Sequence, residues 1–122
     1  MLDTSELDAL QRDILKAANT IDNRAAKVVK KGAVNIKRDW RANAAARGSR
    51  HARAYPFSIS FDMKAKTEAE VGPEASASSQ GFLGYVLEYG GVHSPPHNDG
   101  KRAADKELPA FEREMGKLGE KI

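Results

Sequence analysis

The 122-residue sequence has no cysteine, which excludes a disulfide framework, a thiolate zinc site and a cysteine nucleophile. Stability then has to come from packing, within the chain or between chains. Long apolar runs are missing too: none exceeds a few residues, too short to cross a bilayer. The start, MLDTSELDAL, carries acids where a secretory signal carries a basic end and an apolar core, so a protein that stays in the cytoplasm where it is made is expected. Nucleophile elbow, phosphate loop and paired-carboxylate motif are all absent. Gly81-x-x-Gly84 and Gly90-Gly91 are too sparse to cradle a phosphate, and Ser94, His51 and the scattered acids form no catalytic pattern. The expectation is a protein that is not an enzyme and uses no cofactor.

What is present is charge, unevenly placed. Residues 1–54 hold 12 Lys or Arg against 6 Asp or Glu, and residues 55–122 hold 8 against 11. Between Arg24 and Arg53 ten basic residues face a single acid, Asp39. That density attracts a polyanion or an acidic protein surface.

With 40% hydrophobic and 30% charged residues, a single domain spanning residues 1–122 with a modest core is expected. A helix is predicted over residues 5–46. Leu7, Leu10, Ile14, Ala18, Ile21, Ala25, Val29, Ala33, Ile36 and Trp40 recur at close to the helical period and form one stripe along a rod of about 60 Å. Such a rod exceeds a compact domain of this size, so part of the stripe needs cover from outside the chain's own core. Ser5 caps the start. The cluster Asn19, Thr20, Asp22 and Asn23 invites a break, but the stripe keeps its phase across it and favours one helix. Gly32 marks a bend or a close helix contact. Lys27, Lys30, Lys31, Lys37, Arg38 and Arg41 lie largely off the stripe and form a basic flank.

Residues 43–54 (NAAARGSRHARA) have little to bury and read as a mobile loop or arm. Phe57, Ile59, Phe61 and Met63 alternate with polar residues and predict a strand over residues 55–63. After a turn at 64–66, a second strand runs from Thr67 to Val71 and stops at Gly72-Pro73, forming an antiparallel hairpin on the long helix. Phe82, Tyr85, Val86 and Tyr89 suit a short helix. Residues 92–102 (VHSPPHNDGKR) read as a long exposed, mobile loop, and a last helix runs from Lys106 or Pro109 to Leu118. The fold class is α+β: a long N-terminal helix on a small antiparallel sheet, with a short middle helix and a C-terminal helix.

His93 and His97 flank Pro95-Pro96. The prolines exclude the helix that would align both rings on one metal, and no third ligand adjoins them, so an exposed proline-rich contact loop is the preferred reading and no metal is expected. The basic flank reads either as a solvated helix face or as a salt-sensitive, non-specific contact with nucleic-acid backbone, with only Tyr55 and His51 near it to stack on bases. Trp40, Tyr85 and Tyr89 read as core residues, or as anchors of a subunit interface.

The order of these motifs resembles the tail-component family of tailed bacteriophages, the gene-product-ten-like tail completion or neck proteins of the head-to-tail joining region. The likeness spans roughly residues 20–118. AAKVVKKGAVNIKRDWRANAAARGSRHARAYPFSISFDM has the family's layout of a basic, Ala-rich helix, a loop and a strand. Ala69, Glu70, Val71, Gly72 and Pro73 match its Val-Gly-Pro stop, and Tyr85, Val86, Leu87, Glu88, Tyr89 and Gly90 match its tyrosine-rich helix. The Pro-x-Asp-Thr-Gly type turn is replaced by the basic residues 49–54, and the Pro-Phe-Leu stretch by Leu108, Pro109, Ala110 and Phe111. The resemblance implies a virion structural protein that forms a homo-oligomeric ring, typically a hexamer, at the neck. Its partners would be copies of itself, the connector or adaptor proteins, and the tail terminator or tail tube, with possible contact to packaged DNA and none to membrane. It would sit in the virion, after assembly in the host cytoplasm. Lys27, Lys30, Lys31, Lys37, Arg38 and Arg41 then face the DNA channel or an acidic partner, and Trp40, Tyr85, Tyr89, His93, Pro95 and Pro96 the subunit interface. The alternative is a small basic protein that binds nucleic acid without sequence preference.

Overall fold

The computed structural model describes residues 4–46, 53–74, 84–90 and 96–120. The fold is α+β, built on α1 (Thr4–Ala46), an unbroken helix of 43 residues and therefore about 64 Å long. The feared break at 19–23 does not occur: the Thr20 hydroxyl donates to the Lys16 carbonyl at 2.9 Å, so it back-bonds within the helix instead of competing with it. Gly32 is a close contact and not a bend. A β-carbon there would lie 3.3 Å from the Phe111 ring, which presses α4 (Asp99–Glu120) onto α1.

The expected strand over residues 55–63 starts four residues late. Residues 55–58 form one helical turn, α2 (Tyr55–Ser58), with Pro56 in its first turn and the Ser58 hydroxyl donating to the Tyr55 carbonyl at 2.6 Å. Phe57 consequently points to solvent, 76% exposed, and takes no part in the alternation. Strands β1 (Ile59–Ala65) and β2 (Glu68–Pro73) pair antiparallel from Ile59 opposite Pro73 to Ala65 opposite Glu68, with a bulge between Met63 and Ala65. Gly72 and Pro73 lie inside β2 instead of stopping it. Pro73 is tolerated at the terminal position of a two-stranded sheet, where one strand edge has no ladder to break. The short helix is α3 (Gly84–Tyr89).

The C-terminal helix begins at Asp99, seven residues before the earlier of the two expected starts. Pro109 therefore sits in its interior on an exposed face, and the expected loop at 92–102 gives up its last four residues to α4. Likewise residues 43–46 of the expected loop at 43–54 belong to α1, and residues 47–52 and 91–95 lie outside the described residues.

α4 runs antiparallel to α1, with Asn43 against Asp99, Asn35 against Glu107 and Gly32 against Phe111. The core is small. Tyr55 and Ile59 are its buried centre, with Trp40, Ala44, Val71 and Leu87 around them. No described helix is long and apolar enough to cross a membrane.

Candidate functional site

One buried joint and two features of the surface determine what this fold can do. The joint is the start of α4. Asn98 takes the left-handed conformation, φ 55°, and its carbonyl accepts the first bond of the helix from Arg102 N–H at 2.9 Å. Glu88, on α3 and only 6% exposed, places its carboxylate over the free N–H groups of the first turn. It accepts from Gly100 at 2.9 and 3.2 Å and from Lys101 at 3.1 Å. A negative charge there opposes the positive end of the helix dipole. Asp99, 2% exposed, accepts from Arg102, its backbone carbonyl takes the Asn43 amide at 3.0 Å, and His97 Nδ1 lies 3.8 Å from its carboxylate. The joint locks α1, α3 and α4 together. All its acids and bases are engaged with one another or with backbone, which makes it a structural clamp.

The second feature is the basic flank, which the fold divides. Lys27, Lys30 and Lys31 are exposed and make no ion pair with any described residue. Lys37 lies 5.4 Å above the centre of the Phe61 ring, a cation–π contact. Arg38 reaches Asp39 at 3.5 Å, and Asp39 also meets Lys106 at 3.7 Å. Arg41 serves the fold: its Nε donates to the Ile59 carbonyl at 2.7 Å and one Nη to the Phe57 carbonyl at 3.4 Å, tying α1 to the α2–β1 junction. Only the first three lysines form a row with no described side chain to answer it. Tyr55, considered for base stacking, is 2% exposed and unavailable for it. Burial raises its hydroxyl pKa above the ordinary value. The indole N–H of Trp40 approaches closely enough to oppose part of that rise, and Glu88 and Asp99 add to it, yet neither the hydroxyl nor the indole N–H completes a hydrogen bond of good geometry among the described residues.

The residues considered for an interface separate in the same way. Trp40 packs against the core and against Gly100, whereas Tyr89 is 67% exposed on α3. Tyr85 lies on the backbone of α3, and its side chain, like His93 and Pro95, falls outside the described residues; Pro96 is exposed. No group of three metal-ligating side chains occurs among the described residues.

The third feature is apolar. Every residue from 4 to 20 is exposed, and Leu7, Leu10, Ile14 and Leu15 stand 50 to 60% open. The first five turns of α1 thus overhang the rest of the fold. Where the same stripe enters the fold, it forms one wall of an open groove of about 370 Å³ between α1, β2 and α4, lined by Val29, Ala33, Ile36, Val71, Leu108 and Phe111 among others. Periodicity pointed to the overhang. The groove and the Glu88 clamp depend on contacts between distant segments and carry no local sequence signal.

Comparison with family models, characterised proteins and solved structures finds no match to this chain.

Proposed function

We infer that this protein is a structural subunit of a tailed bacteriophage, one that joins head to tail as part of a homo-oligomeric ring at the neck. The observation that carries the reading is the overhang. Five turns of helix with four large aliphatic side chains half-exposed or more form a patch of the kind that marks a protein contact. The order of motifs, from the basic helix through the Val-Gly-Pro strand end to the tyrosine-rich α3, supports the neck assignment. The ring typically has six copies, and a neighbour covers what a lone subunit leaves bare. Exposed Tyr89 and Pro96 lie toward the opposite end of α1, where Asp99 meets Asn43, and supply a second contact surface; the role consists of contacts with no chemistry of its own.

The test is complementation of an extract. Cells infected with a phage whose copy of this gene is interrupted are lysed, and the purified protein is added. Restored infectivity with the wild-type chain, and none with Tyr89→Asp, is expected; full infectivity without any addition would remove the joining role.

One observation favours a second reading, in which the protein binds nucleic acid without sequence preference: the unanswered row of Lys27, Lys30 and Lys31. That reading requires duplex binding at low salt that falls steeply as salt rises and is lost in the triple charge reversal of these lysines to Glu. In the neck reading the same row faces the DNA channel or an acidic neighbour.

A further inference from the structure

We propose that the overhang at residues 4–20 of one copy seats its aliphatic side chains in the α1–β2–α4 groove of a second copy, so that successive copies join head to tail. This deepens the ring reading by naming the two surfaces that meet. Four observations carry it. The overhang and the groove lie on one continuous stripe of α1, so a helix laid along that stripe meets both. The groove is open, about 370 Å³ in volume and mostly aliphatic and aromatic, with Thr67, Glu68 and Glu107 also in its lining, and four of the six large exposed aliphatic residues among the described ones sit in the overhang: Leu7, Leu10, Ile14 and Leu15.

The overhang cannot fill its own groove. Leu10 and Val29 are fixed on one unbroken helix, about 28 Å apart along its axis. Symmetric pairing of two overhangs would leave both grooves open, whereas head-to-tail seating covers both surfaces of every copy; a reciprocal two-fold exchange would cover them too, but it closes the double cysteine variant into a dimer in place of a ladder, a result that overturns head-to-tail joining. The four aliphatic side chains expose on the order of 400 Å² of apolar surface, a large patch for a monomer. A contact between two different patches closes into a ring or runs on as a filament.

The absence of native cysteine makes disulfide mapping unambiguous. Leu10→Cys and Leu108→Cys replace residues that are each about half exposed, and retained helicity confirms folding. The two single variants, mixed and oxidised, give a covalent dimer that neither forms alone, and the double variant gives a ladder of multimers; Leu7→Cys and Ile14→Cys in place of Leu10→Cys cover the neighbouring turns. Ile14→Asp weakens self-association at least tenfold by sedimentation. Dimers from Leu10→Cys alone, with none from the mixture, overturn head-to-tail seating while self-association stands. Monomers without a ladder up to about millimolar concentration overturn it too, and the joining role then stands or falls on the extract experiment.

Discussion

Removing the Glu88 carboxylate tests the clamp that starts α4. In Glu88→Ala, two N–H groups of the first turn lose their acceptor: Gly100, which is buried, and Lys101, which is exposed. Water can replace the acceptor at Lys101 but not at Gly100. The loss is therefore closer to one strong hydrogen bond than to two, about 2 kcal/mol, within the range for charge-assisted bonds and helix caps. Glu88→Gln keeps a carbonyl oxygen in place but gives up the charge facing the helix dipole, for a loss of about 1 kcal/mol. For a chain of this length the two changes lower Tm by roughly 8 and 4 °C. Thermal unfolding followed by circular dichroism at neutral pH reads both. An alanine variant within about 0.5 kcal/mol of wild type, the usual scatter of surface substitutions, would refute the reasoning, as would a glutamine variant worse than alanine.

Five other substitutions have expected outcomes. A β-carbon on Gly100 would come within 2.7 Å of the Trp40 ring, so Gly100→Ala lowers stability in urea by about 1–3 kcal/mol. Burial raises the Tyr55 pKa, so the unfolded chain loses this proton first as pH rises; stability is complete below the ordinary tyrosine pKa and falls as pH climbs through the folded value, and Tyr55→Phe reduces that alkaline loss measured by urea unfolding across the range. Arg41→Ala costs about 1–2 kcal/mol because two backbone carbonyls lose their donor, whereas Lys27→Ala and Lys30→Ala stay within about 0.5 kcal/mol in the same assay.

The elements that follow from periodicity were legible in the sequence. Apolar residues recurring with the helical period located α1 to within a residue of its start, and alternation from Ile59 onward located the hairpin. What was not legible depended on partners far away in the chain. Pro109 made a start near residue 106 or 109 attractive, because a proline fits the first turn. The actual start at Asp99 relies on Glu88, a cap supplied by another helix, which no local pattern reveals. At Tyr55–Ser58 the alternation was real but outweighed by Pro56 and by the Ser58 hydroxyl bonding back to Tyr55. Arg41 looked like one more residue of a charged face, since nothing in its spacing indicates that it reaches the carbonyls of residues 57 and 59. That part of the stripe would stand uncovered was legible from its period and length together, since a rod of about 60 Å outruns the core that this chain can build; which end would overhang was not.

The most direct test of the central claim, that this protein joins head to tail, is electron microscopy of a lysate in which its gene is interrupted in the parent phage, counting joined particles against separate heads and tails. The account predicts separate, DNA-filled heads beside finished or abnormal tails. Intact infectious particles would contradict it and move the weight to the nucleic-acid reading.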